Sequence, residues 1–289
     1  MAKLVDFFLS YLQNEKRLSP HTVEAYRTDL GRLTVFLDGK PPESADTEAL
    51  RAWIAALAES GLANTSINRK IASLRAFYKF LVQRKRLVND PAHLLKALKT
   101  PKKLPVFLEE KSTQSLFEVI SFEDGFAGLR DRLILELLYG TGIRLSELTG
   151  ICETDVDQNR LKVLGKRSKY RIIPLNAPLV KLIADYRALK KEQPATTHSY
   201  LLVTDTMKPL YPVFVQRKVK HYLGQVSTLK KKSPHVLRHT FATHLLNNGA
   251  DLNAIKELLG HASLSATQIY THNSIGKLKE VFKKANPKA

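Results

Sequence analysis

The segment at residues 99–106 limits what this chain can fold into more than any other feature of its sequence. Its first seven residues, Lys-Thr-Pro-Lys-Lys-Leu-Pro, contain two prolines, which oppose a helix, and three lysines, which favour water or a phosphate surface. A chain of 289 residues is also long enough for two ordinary domains. We therefore expect one domain at 1–98, a linker at 99–106 and a second domain at 107–289.

The first domain is predicted to consist of four helices. Ser19 and Pro20 form a typical helix start, because serine caps free N–H groups and proline fits the first helical position. Apolar residues recur at helical spacing in each segment, and the fourth helix is expected near 65–83. Its outer faces carry basic residues, including Arg69 and Lys70, which are typical of a solvated surface, with a basic face on DNA as the alternative.

The second domain is predicted to be mostly helical with a small antiparallel sheet. Residues 129–139 are strongly apolar and precede a glycine, as expected of a buried helix and its end. The runs 161–164 and 170–175 are short and β-like, and the residues between them suit a hairpin turn. Residues 200–204 are a candidate for one more short strand. The fold class expected for the whole chain is therefore mainly α.

The charge of the chain indicates its partner. Lys and Arg number 46 against 27 Asp and Glu, which gives a net charge of +19. A surplus of this size favours a polyanion, although a membrane surface or a ribosome contact remains an alternative on charge alone. The runs Arg217–Lys220 and Lys230–Lys232 are candidate phosphate contacts, with a solvated surface as the alternative.

The same composition predicts a cytoplasmic protein. Cys152 is the only cysteine, so no intrachain disulfide is possible, which fits a reducing compartment. Asp6 and Glu15 interrupt the apolar stretches near the start, which opposes a signal peptide. The sequence contains no run of ~18 apolar residues, so we expect no membrane span and no membrane partner.

The segment 233–272 carries the residues most informative about chemistry. A Ser-Pro pair predicts another helix start, and His235 and Arg238 then lie three residues apart in the first turn, on one face. A helix N-terminus presents free N–H groups and a positive potential, so it favours a phosphate. A lone tyrosine such as Tyr270 or a histidine after a glycine such as His261 is most often structural, and only the combination indicates a site.

This segment and an element upstream of it resemble the tyrosine recombinases, also called the lambda-integrase family. That family carries an arginine in a Thr-Gly-x-Arg-x-x-Glu-Leu stretch, a lysine in a β-hairpin turn, a His-x-x-Arg-His motif, a Leu-Gly-His turn and then a tyrosine. The matching residues here, in chain order, are Arg144, Lys166, His235, Arg238, His261 and Tyr270. The resemblance covers nearly the whole chain, and the C-terminal residues are most similar to the bacterial Xer recombinases.

The resemblance implies that the protein cleaves and rejoins duplex DNA through a 3′-phosphotyrosine intermediate. Tyr270 would be the nucleophile and His235 its proton acceptor, because a phenol with a pKa of about 10 attacks poorly without a base. Arg144 and Arg238 would neutralise the nonbridging oxygens by paired charge-assisted hydrogen bonds, and His261 would also bond the phosphate.

Two supporting roles follow from the same resemblance. Lys166 would protonate the leaving 5′-oxygen as general acid, with Lys169 and Lys162 as alternatives that depend on the register of the hairpin. Glu147, three residues from Arg144, would orient that side chain, or else form an ordinary surface pair with it. No metal and no cofactor are expected, because the arginines neutralise the phosphate, and no ATP, because the phosphotyrosine keeps the bond energy.

The expected partners are duplex DNA with a specific recombination site, gripped between the two domains, and further recombinase subunits. The apolar residues of 275–285 recur at three-residue spacing, which suits a short helix that docks on a neighbour in a homo- or hetero-tetramer on DNA. A second, different recombinase or an activating DNA translocase is a possible further partner.

The function predicted on these grounds is the Xer-type resolution of chromosome or plasmid dimers, which belongs to chromosome partition and cell division. We expect no extra N-terminal arm-binding domain in so short a chain, which favours this simple type. The alternatives are an integrase or transposase of a mobile element, a type IB topoisomerase with a similar pocket, and a DNA-binding regulator without catalysis.

Overall fold

The computed structural model describes residues 3–101, 108, 117, 120–165, 170–227, 229 and 231–260. The chain divides into two compact units, Met1–Lys103 and Leu104–Ala289. Within the described residues no helix is both long and apolar enough to cross a membrane. The two units are described separately below.

Four α-helices build the first unit, as the sequence predicts. They are α1 (Lys3–Ser10), which continues into a π-helical turn, α2 (Pro20–Phe36), α3 (Thr47–Glu59) and α4 (Asn64–Gln83). The Ser19 hydroxyl caps α2 by accepting from the backbone N–H of Thr22 at 3.2 Å. The Asp46 carboxylate caps α3 in the same way, accepting from the N–H of Ala49 at 2.8 Å.

Helix α4 is the centre of this unit and packs against α1, α2 and α3. It buries Ile67, Ile71 and Leu74 on one stripe, and Lys70 lies on that stripe too because it is three residues after Ile67. The expectation of a solvated face is therefore wrong for Lys70, which is 1% exposed. Its ammonium lies 2.6 Å from Asp29 Oδ1.

Helices also dominate the second unit, around a small sheet. Within its described residues the helices are α5 (Phe126–Thr141), α6 (Leu145–Thr149), α7 (Ala177–Lys191), α8 (Pro212–Val226), α9 (Pro234–Asn247) and α10 (Leu252–Leu259). The strands are β1 (Val156–Asp157), β2 (Arg160–Leu164) and β3 (Tyr170–Pro174), antiparallel in the order β1-β2-β3. The mainly helical fold class with a small antiparallel sheet is thus confirmed.

The β2–β3 hairpin has the register that alternating burial requires. Leu161 pairs with Ile173 and Val163 with Arg171, and these four side chains lie on the buried face. Residues 200–204 differ from expectation, since they form only the isolated bridges Cys152–Tyr200 and Val203–Pro209. Each end of this run has a single bridge partner, and the chain reverses directly after Thr204, whose N–H donates to the Lys208 carbonyl, so neither bridge extends into a ladder.

The core of this unit surrounds α5, which packs against α7, α8 and α9. Helix α9 also holds the backbone of Leu108 at both polar groups. The Leu108 N–H donates to Thr240 Oγ1 at 2.9 Å, and its carbonyl lies 3.0 Å from His244 Nε2. The other ring nitrogen of His244 lies 3.0 Å from the Tyr139 hydroxyl, so this buried histidine has a structural role.

Candidate active site

A left-handed glycine positions the first predicted arginine. Gly142 ends α5 at φ +61°, and a Cβ there would collide with the Phe241 ring and lie 2.9 Å from Leu259 Cδ2. Glycine therefore lets three helices approach closely at this point. The chain then turns, and Arg144 is the N-cap residue of α6.

Glu147 binds two arginines and a backbone N–H at once. Its Oε1 accepts from Arg144 Nη1 at 2.8 Å and from Arg171 Nη1 at 2.7 Å. Its Oε2 accepts from the Arg144 backbone N–H at 2.7 Å and from Arg171 Nη2 at 2.8 Å. Burial raises the pKa of Glu147, but the hydrogen bonds from Arg171 and Arg144 outweigh burial and lower it to about 2. The carboxylate is therefore ionised at neutral pH.

Arg238 lies in the first turns of α9 and is buried, with 8% exposed. Its Nη1 donates to the Gly142 carbonyl at 2.5 Å, and its Nη2 donates to the Leu259 carbonyl at 2.7 Å. Burial and the neighbouring charge of Arg144 lower the pKa of Arg238 to about 10. It remains protonated at neutral pH.

The end of α10 receives one hydrogen bond from each of three arginines. Arg171 Nε donates to the Leu258 carbonyl at 2.8 Å, Arg238 to that of Leu259, and Arg144 Nη2 to that of Gly260 at 3.0 Å. The last carbonyls of a helix have no intrahelical partner and carry its partial negative charge, so cations bind there.

Among the described residues this cluster has three guanidiniums and one carboxylate, a formal charge of 3 − 1 = +2 from the ion pairs and hydrogen bonds above. The side chain of Arg144 is the reachable member at 22% exposed, whereas Arg171 is 5% exposed. Over the described part of the chain, no three His, Cys, Asp or Glu side chains are grouped as metal ligands. Such a cluster suits a phosphodiester, which is anionic and gains charge on its nonbridging oxygens during attack.

The structure brings three of the predicted residues together, Arg144, Glu147 and Arg238. His235 is exposed in the first turn of α9, three residues before Arg238. Lys166, His261 and Tyr270 lie outside the described residues, as do the alternative Lys169 and the segment 275–285.

The second alternative for the general acid, Lys162, is described and lies on the outer face of the hairpin. It is exposed, and its Nζ sits 4.2 Å from the centre of the Tyr170 ring. It pairs with Ile172, whereas Arg171 is on the opposite, buried face with Val163. Lys162 thus faces away from the arginine cluster.

Sequence reasoning missed Arg171. The signal was the alternation of β3, where Tyr170 and Ile172 are exposed while Arg171 and Ile173 face inward. An arginine at an inward position must have partners for its charge, and these are Glu147 and the end of α10.

The candidate phosphate run in α8 divides between two roles. Lys218 Nζ lies 2.6 Å from Oδ2 of the buried Asp131, which also accepts from the Tyr222 hydroxyl at 3.1 Å. Lys218 is therefore a structural residue, while Arg217 and Lys220 are exposed. In the second run Lys231 is exposed and Lys230 lies outside the described residues.

Comparisons with known proteins find matches for both units of the chain. Residues 106–276 match the phage integrase family, and residues 5–85 match its N-terminal SAM-like domain. A tyrosine recombinase XerC from Chlorobaculum parvum is 38% identical over 314 aligned positions, which cover 98% of this chain and 94% of that protein.

Solved structures show the same fold at lower identity. The XerH site-specific recombinase, in a post-cleavage complex with its palindromic difH substrate, has a TM-score of 0.73 at 20% identity and covers 96% of this chain and 83% of its own. A lambda integrase tetramer bound to a Holliday junction has a TM-score of 0.68 at 17% identity, covering 93% and 79%.

Proposed function

The chain belongs to the phage integrase family and is a Xer-type tyrosine recombinase, an enzyme that breaks and rejoins DNA, and we propose that its arginine cluster binds the scissile phosphate. The observation that carries this proposal is the pair Arg144 and Arg238, held within one cluster of charge +2. Both donate to neutral backbone carbonyls, which a dianionic transition state can outcompete.

In the proposed reaction the Tyr270 oxygen attacks the phosphorus while His235 takes the phenolic proton. The bond from phosphorus to the 5′-oxygen breaks, and Lys166 gives that oxygen a proton. Arg144, Arg238 and His261 stabilise the charge on the nonbridging oxygens. The 3′-phosphotyrosine then reacts with the 5′-hydroxyl of another strand, which reverses the chemistry without ATP, metal or cofactor.

A suicide duplex tests this reaction directly. The duplex is built around a site that the wild-type protein selects from a randomised DNA library, with a nick that releases the cleaved end. In EDTA we expect a covalent protein–DNA adduct with the wild-type chain and none with Tyr270→Phe. Tyr211→Phe, at an exposed tyrosine of the same unit, is the matched control and forms the adduct. Tight binding without any adduct contradicts the proposal and favours a DNA-binding regulator.

We further propose that residues 1–98 form a core-type DNA-binding domain and that residues 107–289 form the catalytic domain, both gripping duplex DNA. Phosphate contacts would supply most of the affinity, and helices in the major groove the specificity. The exposed Arg217 and Lys220 in α8 support a phosphate surface on the second unit. Replacing both with glutamine should weaken binding on all sequences alike and make it less dependent on salt.

Dimer resolution is the proposed biological role, and topology separates it from its rivals. A plasmid with two directly repeated selected sites should yield two smaller circles. A topoisomerase would instead relax a plasmid with a single site and yield no new circles. If circles form only when a second recombinase or a DNA translocase is added, the partner is part of the reaction.

Subunit contact is assigned to residues 275–285. Because this segment carries apolar residues at three-residue spacing, we propose that it docks on a neighbouring subunit in a tetramer. Deleting 275–289 should abolish the tetrameric complex on DNA in native gels while a single subunit still binds. Unchanged recombination by the truncated chain would exclude this role.

A further inference from the structure

We propose that Arg171 is a positioning residue, which neutralises Glu147 so that Glu147 can orient Arg144 without cancelling its charge at the phosphate. This inference rests on the proposed function of the arginine cluster. It assigns a task to a third buried arginine that the reaction above does not use.

Arg171 uses all three of its guanidinium nitrogens in hydrogen bonds within the protein. Its Nη1 and Nη2 donate side by side to the two oxygens of Glu147, at 2.7 and 2.8 Å, in a fork-to-fork pair. Its Nε donates to the Leu258 carbonyl at 2.8 Å. Each guanidinium nitrogen is therefore engaged, and the side chain is 5% exposed. Arg171 is consequently placed to serve Glu147 rather than to bind DNA.

The charge of Glu147 creates the need for such a residue. Its carboxylate lies 2.8 Å from Arg144 Nη1 and also holds the Arg144 backbone N–H, so it fixes both ends of that residue. A lone buried carboxylate at this distance would offset the positive potential that Arg144 offers to an anion. With Arg171 as counter-charge, the Glu147–Arg171 pair is neutral, and Arg144 and Arg238 keep a charge of +2.

The shape of the site requires arginine. A lysine ammonium is a single point charge, so it cannot bond both carboxylate oxygens and the Leu258 carbonyl together. The backbone of α10 makes room for the planar group at Gly260, where a Cβ would lie 3.2 Å from Arg171 Nη1. Arg171 thereby also joins strand β3 to the end of α10.

A double-mutant cycle on Arg171 and Glu147 tests the charge. Adduct formation is measured in single turnover on the suicide duplex at saturating protein, and DNA affinity is measured separately. We expect Arg171→Gln to slow cleavage by about 100-fold with little change in affinity. Adding Glu147→Gln should restore about tenfold, because the uncompensated carboxylate is gone. A double variant as slow as Arg171→Gln, or slower, overturns the proposal.

A neutral scissile linkage supplies the second readout. In a methylphosphonate one nonbridging oxygen is replaced by methyl, so there is less charge to neutralise. The loss caused by Arg171→Gln should shrink about tenfold or more on this substrate. An equal loss on both substrates would mean that Arg171 acts only on the shape of the site, and would overturn its electrostatic role.

Controls separate this result from a folding defect and from failure of the proposed function. Arg160→Gln removes an exposed arginine from the same hairpin and should leave both rates unchanged. If Arg171→Gln does not fold, Arg171→Lys is tested instead, because it keeps the positive charge. The ratio of its cleavage rates on the phosphodiester and the methylphosphonate should stay near that of the wild type. If Arg171→Lys instead slows cleavage of the phosphodiester more than cleavage of the methylphosphonate, the proposal is overturned. A wild-type chain without adduct refutes the proposed function itself.

Discussion

Lys70 and Asp29 form an ion pair inside the first unit, with 2.6 Å between the Lys70 Nζ and Asp29 Oδ1 atoms. Asp29 also accepts from Ser73 Oγ at 2.7 Å and from Arg69 Nη2 at 2.8 Å. Burial raises the pKa of Asp29, but hydrogen bonds from Arg69, Lys70 and Ser73 outweigh it, so the net effect is a lowered pKa. This buried network ties α2 to α4.

Asp29→Asn should destabilise the first unit strongly. The change leaves the Lys70 charge buried without its counter-ion, and breaking such a pair costs about 3–5 kcal/mol. The free energy of unfolding in urea measures this loss. The matched control is Asp6→Asn, because Asp6 is exposed and 3.8 Å from Arg27, and exposed pairs contribute about 0–1 kcal/mol. Equal losses for both variants would contradict a buried role for Asp29.

Gly142→Ala should destabilise the second unit and disturb the arginine cluster. The residue has φ +61°, its Cβ would meet Phe241 and Leu259, and its carbonyl accepts from Arg238. Strain at such a position costs about 1–3 kcal/mol before any overpacking. Thermal unfolding measures the loss.

Gly224→Ala is the control for that strain, because Gly224 lies in α8 with open space around it. There alanine should stabilise by about 0.5–1 kcal/mol through helix propensity. A Gly142→Ala protein as stable as wild type would show that the left-handed turn tolerates a side chain.

Acid should weaken the second unit through Glu147. Its pKa is about 2 in the folded chain against a usual 4.5, so its contribution is present above about pH 4.5 and is lost as the pH falls towards 2. A shift of this size is worth about 3 kcal/mol. In Glu147→Gln the free energy of unfolding should therefore fall less across this window. Parallel curves for the variant and the wild type would rule out this linkage.

The general acid can be identified with a leaving group that needs no proton. Replacing the scissile 5′-oxygen by sulfur gives a thiolate leaving group, because a thiol has a pKa of about 8.5. Lys166→Ala should slow cleavage of the ordinary linkage by about 100-fold or more. On the sulfur substrate the same variant should cleave about as fast as the wild type. Lys169→Ala should show neither effect, and the opposite pattern would make Lys169 the acid.

Helix starts and the hairpin could be predicted because their signals are local. Ser19 and Pro20 begin α2 through a cap within three residues, and the period of two in β2 and β3 decides which side chains face inward. The partner of Lys70 is 41 positions away along the chain, so no local pattern names it. Lys70 lies three residues after Ile67 and four before Leu74, so helical spacing is compatible with the inner stripe, but its charge favours an outer face when the counter-ion is unknown.

The residues of the site show the same difference between local signals and distant partners. Arg144 and Arg238 stand out from the sequence only through a resemblance of motifs, and Arg171 was hidden in a strand. Glu147 was the expected partner of Arg144. The other acceptors of the three arginines could not be predicted, because most of them are backbone carbonyls, which every residue has. These carbonyls are available because a helix ends beside the arginines, as α10 does at Gly260.

Those carbonyl contacts also govern how mutation reaches the site. No substitution at Leu258 or Leu259 can delete a main-chain oxygen. Mutation at these positions therefore affects the hydrogen bonds only through side-chain packing. Mutation can alter the hydrogen bonds at the three arginines and at Gly142 and Gly260, whose φ values of +61° and +63° disfavour other residues. The acceptor of each of these hydrogen bonds is a main-chain oxygen, which is present whichever side chain the codon specifies.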